Sequence, residues 1–129
     1  MKLLLDTHVL IWWLRDDPKL RSRARALIAD EKVAVLFSAV SCWEASIKYR
    51  TGKFDMAGSE IWQRAVGDGF TFLGIEARHV KQLEGLPVIA GHGDPFDHML
   101  VAQARAEDAA IMTADRKMTG YDVRCIGAR

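Results

Sequence analysis

A chain of 129 residues, half of them apolar and 27% charged, has the balance of one globular domain spanning residues 1–129, able to bury about two-thirds of the surface its unfolded form exposes. Its longest apolar run, Val9 to Leu14, is far short of the ~20 residues that cross a bilayer. The N-terminus also lacks a signal-peptide charge pattern, so a cytoplasmic location away from membranes is expected. Cys42 and Cys125 form no C-x-x-C pair, which excludes a disulfide framework and a cysteine zinc site. The net charge of +1 conceals basic clusters, Arg15 to Arg25 and Lys48 to Lys53, that fit either a solvated helix face or a nucleic-acid footprint.

In chain order, periodicity alternates strands with helices. Lys2 to Leu5 reads as an apolar strand closed by Asp6, and Thr7 to Leu14 as a helix broken by Asp16-Asp17-Pro18. Pro18 to Asp30 reads as a helix with Leu20, Ala24, Leu27 and Ile28 on its buried face. Lys32 to Phe37 is a β-branched strand. Ser38 can then cap a helix that buries Val40, Trp43 and Ile47 and ends near Arg50, before Thr51-Gly52. Ser59 to Val66 is helical, Phe70 to Leu73 a strand, Glu76 to Leu83 a short helix and Gly85 to Gly93 a loop. Asp94 opens a helix to Ala106, Ala110 to Met112 is a strand, Ala114 to Met118 a helical turn, and Val123 to Ile126 a last strand. The four tryptophans, Trp12, Trp13, Trp43 and Trp62, sit at helical spacing among apolar residues and are expected in the core or at an interface.

Strands separated by helices require crossover connections. The predicted fold class is therefore α/β, with a central mainly parallel sheet flanked by helices in three layers. Ligands in such sheets bind beyond the carboxyl ends of the strands. Asp6 follows the first strand and Asp115 follows the Ala110–Met112 strand, so two parallel central strands would bring both carboxylates to one edge. In Asp94-Pro95-Phe96-Asp97 the first residue suits an N-cap, the proline the first helical position, and Asp97 the third, where free amides and the helix dipole favour a carboxylate. Capping alone accounts locally for both acids. Glu44 borders the core of its helix, with Lys48 four residues on as an ordinary surface partner. Four carboxylates at one edge would repel by roughly 4 kcal/mol for a pair at 4 Å and an effective dielectric of 20, so such a cluster binds protons or cations. Mg²⁺ or Mn²⁺ suits hard oxygen donors and supports phosphodiester hydrolysis.

Asp6 within LLLDTHVLIWWL, Glu44 within SAVSCWEASIKYRTGKF, Asp97 within GHGDPFDHMLVAQA and Asp115 within IMTADRKM, in that order along nearly the whole chain, resemble the PIN-domain ribonucleases, most closely the VapC-type toxins of bacterial toxin–antitoxin modules. The resemblance implies a metal-dependent endoribonuclease with Asp6, Glu44, Asp97 and Asp115 as its catalytic acids and Thr113 as a polar neighbour. Among these, Asp6, Asp97 and Asp115 are the expected metal ligands, and Glu44 is a ligand or orients the attacking water. Asp94 matches the family pattern and is expected to support the site as a cap. Lys48, Arg116 and Lys117 adjoin acidic positions and are the expected RNA contacts. The resemblance further implies a small antitoxin partner and a homodimer.

Other readings lack residues they need. A haloacid-dehalogenase-like phosphatase requires a second aspartate where His8 stands, and a receiver domain requires adjacent acids after the first strand. Zinc on His92, Asp94 and His98 is compatible in spacing, but the glycines and the proline favour a flexible loop and a helix start. Gly91-His92-Gly93 lacks the third glycine of a dinucleotide loop. The alternative to an enzyme is a PIN-like module that binds RNA or a partner without cleaving.

Overall fold

The computed structural model describes residues 1–129 and contains five strands in one all-parallel sheet. These are β1 (Lys2–Leu5), β2 (Ala34–Ser38), β3 (Thr71–Leu73), β4 (Ala110–Thr113) and β5 (Cys125–Gly127), in the order β3-β2-β1-β4-β5. Six α-helices connect them: α1 (Thr7–Leu14), α2 (Ser22–Ala29), α3 (Ala39–Arg50), α4 (Gly58–Gly67), α5 (Ala77–Glu84) and α6 (Pro95–Glu107), with a 3-10 turn at Arg116–Gly120.

Alternating side chains divide the core between the two faces of the sheet, as the pleat of a strand requires. Leu3 and Leu5 of β1, with Val35, Phe37, Ala110 and Met112, join one apolar cluster covered by α1, α2 and α4. Leu4, Leu36 and Ile111 enter the other, beneath Leu100, Val101 and Ala104 of α6. Strands buried on both faces explain why β1 reads as an unbroken apolar run rather than an alternating one.

Several boundaries move for local reasons. The helix predicted from Pro18 begins only at Ser22, because the Asp17 side chain accepts from Lys19 N–H and its carbonyl from Leu20 N–H, closing a turn first. Likewise β2 starts at Ala34 rather than Lys32, where the Asp30 carboxylate captures Lys32 N–H. The expected buried face of α3 is corrected: Val40, Ser41, Glu44 and Ala45 are buried. That places Trp43 and Ile47 on the outer side, 58% and 39% exposed. Trp12 and Trp13 pack against the core, whereas Trp62 is exposed. Their helical spacing is equally compatible with a stripe that faces outward.

The only reversal of strand order lies between β1 and β4, where the chain has built outward through β2 and β3 and then returns to the other side of β1. Leu5 of β1 pairs with Met112 of β4, so the two strands end level with one another. Nearby, a buried polar chain braces this end of the sheet. Ser38 Oγ donates to Gln103 Oε1 at 2.5 Å, and Gln103 Nε2 reaches the Gly74 carbonyl at 3.2 Å. His79 Nδ1 accepts from Glu76 N–H and its Nε2 donates to Glu107 Oε2 at 3.0 Å. Both imidazole nitrogens are thereby engaged, so the Glu76–His79–Glu107 group is a strut between α5 and α6.

Candidate active site

Beyond the level ends of β1 and β4 lies a cavity of about 290 Å³ lined by Asp6, Glu44, Asp94, Asp97 and Asp115, with His8 and Trp12 at its side. Local backbone chemistry brings the aspartates to it. Asp6 is both the residue after β1 and the N-cap of α1, its Oδ1 accepting from Val9 N–H at 2.9 Å. Asp115 is placed in the same way after β4, capping the 3-10 turn through Lys117 N–H at 2.9 Å. Thr113 links the two: its Oγ1 accepts from Asp115 N–H at 2.9 Å and its hydroxyl bonds to the Asp6 carboxylate.

Asp94 is the N-cap of α6, as its sequence neighbours suggested, accepting from Phe96 N–H at 2.9 Å and Asp97 N–H at 3.4 Å. That geometry spends Asp94 on the turn. The Asp97 side chain is released from capping and turned towards Asp115 and His92, with candidate ligand atoms of all three within 4.8 Å of one another. Glu44, 3% exposed, is buried deeper than a surface i,i+4 partner, yet it also forms that pair, with Lys48 Nζ 2.6 Å from Oε2.

The electrostatics are those of an incompletely neutralised acidic pocket. Burial is the main cause that pushes Asp6 from its ordinary 3.8 up to about 6, with the charge on Asp97 adding to it and the Thr113 and Val9 hydrogen bonds opposing it. Burial likewise raises Asp97, against the hydrogen bond from His92, and the charges of Asp94 and Glu44 raise it further. Lys48 is the one lysine or arginine in an ion pair with these acids. The donor set of hard carboxylate oxygens, two of them raised by burial, therefore fits a divalent cation, and candidate ligand atoms of His92, Asp97 and Asp115 lie within 4.8 Å of one another.

Of the expected contacts to RNA, Lys48 is engaged with Glu44, while Arg116 and Lys117 stand exposed immediately after Asp115. Two residues of the site escape sequence reasoning. His92, expected in a flexible loop, is buried, with Nε2 3.2 Å from Asp97 Oδ2 and Nδ1 2.7 Å from the Tyr121 hydroxyl. The histidine between two glycines was the available signal, but nothing local ties it to Tyr121. A further cavity of about 350 Å³ shares His8 and Trp12 with the acidic one and continues past Phe54, Lys19 and Lys53.

Comparison with known proteins places this arrangement. No curated protein matches the chain in sequence. The fold is similar to that of VapBC2 from Rickettsia felis bound to a DNA fragment from their promoter, at a TM-score of 0.72 and 14% identity over 100% of both chains. It is similar to DNA-bound VapBC from Salmonella typhimurium, at 0.66 and 17% identity over 100% of this chain and 99% of that one. A toxin–antitoxin complex from Klebsiella pneumoniae gives 0.64 and 16% identity, with 98% of each chain covered. PIN domains are generally nucleases, and the PIN-domain family model matches residues 3–123, which include all four acids. This chain belongs to the PIN-domain family.

Proposed function

We propose that this protein is a metal-dependent endoribonuclease acting as the toxin of a toxin–antitoxin pair in the cytoplasm. The observation that carries the reading is the gathering of Asp6, Glu44, Asp97 and Asp115 in one cavity at the switch point of the sheet, with burial raising Asp6 to about 6 and raising Asp97 as well. Asp6, Asp97 and Asp115 would hold Mg²⁺ or Mn²⁺. A bound cation of this kind lowers the pKa of a water and offsets charge on the phosphoryl oxygens and the leaving oxygen.

The remaining chemistry belongs to the chain. Glu44 has Oε2 fixed by Lys48, leaving Oε1 to accept a proton from the attacking water and orient it. Thr113 holds Asp6 and the start of the Asp115 turn at a fixed separation. Arg116 and Lys117 are placed to take backbone phosphates beside the cavity. The adjoining groove is lined by Trp12 and Phe54, with the Arg129 guanidinium 5.7 Å from the Trp12 ring centroid and the Lys48 ammonium 5.1 Å from that of Phe54, and it offers phosphates the exposed Lys19 and Lys53. Aromatic faces alternating with cations suit a single strand whose bases are unstacked, which favours RNA loops and ends as substrate.

The antitoxin belongs to the same reading, supported by the similarity to VapBC assemblies. So does a homodimer, for which the exposed Trp43, against Phe96, and Trp62, against Phe72, supply apolar surface.

Purified protein free of antitoxin should cleave single-stranded RNA with Mg²⁺ or Mn²⁺ and not with EDTA. Cleavage equal in both would reject metal dependence, and binding without cleavage in either would favour a non-catalytic RNA-binding module. Replacing Lys19 and Lys53 together by alanine should weaken RNA binding alike across sequences and reduce the log–log salt slope by about 1.4, or ~0.7 for each single-strand phosphate that is no longer neutralised. Fluorescence anisotropy at several salt concentrations measures it, and an unchanged slope would remove this groove from the RNA path.

A further inference from the structure

Behind the acidic cavity runs a short relay of hydrogen bonds that the hydrolytic reading leaves unused. His92, in the loop between α5 and α6, is 5% exposed, and Tyr121, just past the 3-10 turn, is 4% exposed. A carboxylate only accepts, so the 3.2 Å contact with Asp97 Oδ2 requires that His92 Nε2 carry the hydrogen and donate. Nδ1 then has its lone pair free and accepts from the Tyr121 O–H at 2.7 Å. The tautomer is thus set at the far edge of the ring by a phenol that can supply the hydrogen.

Other contacts hold the imidazole itself in place. His98, the residue after Asp97 on α6, donates from Nε2 to the His92 carbonyl at 2.8 Å. Its ring stands at 88° to that of His92 with centroids 5.1 Å apart, and the Tyr121 ring packs 5.4 Å from His92 and 6.2 Å from His98. Backbone, both nitrogens and the ring are all constrained, on a loop flanked by Gly91 and Gly93 that would otherwise be free to move.

Asp97 lies in the first turn of α6, where a carboxylate has several rotamers, among them one that bends back to the free amides of its own helix. The donor at Oδ2 selects against that alternative. It occupies Oδ2 and leaves Oδ1 uncommitted, on a carboxylate that lines the cavity together with Asp115.

We infer that His92, locked by Tyr121, is a positioning residue that aims the Asp97 carboxylate at the divalent cation. The inference rests on the metal-binding reading of the cavity. It assigns His92 the part that supporting groups play around metal ligands, where loss of such a partner weakens metal binding by about 10- to 100-fold. Because His92 lies in a loop, outside every helix and strand, its replacement should leave the sheet and helices standing.

The test is Mn²⁺ affinity, measured by electron paramagnetic resonance on folded protein whose melting temperature is checked in parallel. The unsubstituted protein should bind Mn²⁺, and His92→Leu should bind it about 10- to 100-fold more weakly. His92→Gln, whose amide can still donate to Asp97, should recover most of the loss. Tyr121→Phe, which removes only the hydroxyl that selects the tautomer, should lose less than His92→Leu. In an Asp97→Asn background His92→Leu should change nothing further, since the effect passes through Asp97.

Equal affinity in the unsubstituted and His92→Leu proteins would overturn the inference, as would a full loss persisting in the Asp97→Asn background. A directly bonded nitrogen coupling in the Mn²⁺ spectrum would overturn it differently, by making His92 a ligand. If the unsubstituted protein binds no Mn²⁺, the metal reading itself falls and this inference with it.

Discussion

Asp6→Asn should abolish RNA cleavage and at the same time raise the melting temperature of the metal-free protein at pH 8. The catalytic loss follows from removing a proposed metal ligand and should reach at least about 100-fold, the upper range for losing a mere supporting group. The stability gain follows from burial. Asp6 is 6% exposed, and its folded value of about 6 lies above the ordinary 3.8, so the folded state binds the proton more tightly than the unfolded chain does. The contribution from this group is therefore fully present below about pH 4 and is lost as the pH rises through about 6. Above that window the buried charge costs up to about 3 kcal/mol.

Asparagine carries no charge to bury, and its oxygen can still accept from Val9 N–H. It gives up the strength that charge adds to the Val9 and Thr113 bonds. A net gain of about 1–2 kcal/mol is expected, or roughly 4–8 °C, vanishing as the pH is lowered towards 4. Asp97 is raised in the same direction, so the metal-free parent protein should itself be less stable at pH 8 than at pH 5. Added Mg²⁺ should stabilise the parent and leave the variant unmoved, because only a bound ligand shifts the folding equilibrium. Thermal unfolding at three pH values, with and without Mg²⁺, decides the matter. A variant that melts lower than the parent at pH 8 would show that cap bonds, rather than charge burial, dominate at Asp6.

The second large effect is purely steric. Gly58 opens α4 where that helix crosses α3, and a Cβ built there falls well inside contact distance of the Cys42 carbonyl oxygen and Ser46 Oγ, and 2.7 Å from the Cys42 carbonyl carbon. Backbone cannot swing aside as a long side chain can, and Gly58 N–H already donates to Ser46 Oγ at 3.0 Å. Gly58→Ala should therefore cost about 3 kcal/mol, at the upper end of overpacking penalties, and lower the melting temperature by roughly 10 °C. Glu44 lies two residues beyond Cys42 on α3, so the displaced helix should also disturb the acidic cavity. Gly67, at the other end of α4, has no heavy atom within 4 Å of an added Cβ. Gly67→Ala should be neutral or stabilising by up to about 1 kcal/mol. Equal melting temperatures for the two variants would mean that α3 and α4 do not approach as closely as described.

The sequence by itself determined those features that depend on neighbours along the chain. The apolar run of β1, the serine that caps α3, and the Asp94-Pro95 start of α6 follow from burial on both faces of a strand, from unpaired amides at helix starts, and from the fixed φ of proline. Because parallel strands joined by helices end at one edge, the proximity of Asp6 and Asp115 was legible from their place after two strands. The capping role of Asp94 was legible as well.

What only the tertiary structure decided is where each element turns its faces. A period of 3.6 residues is satisfied by any rotation of α3 about its axis, and packing against α4 and the sheet selected the one that buries Glu44 and exposes Trp43. The same limit hid His92 and Tyr121. They come from two loops separated by all of α6 and β4, and no local propensity connects them. Their hydrogen bond follows from burial, because polar atoms taken out of solvent must find partners within the fold. Asp97 belongs to both accounts. Helix-start chemistry put a carboxylate there, and the convergence of Asp6, Asp115, Glu44 and His92 around it turned a capping position into a candidate ligand.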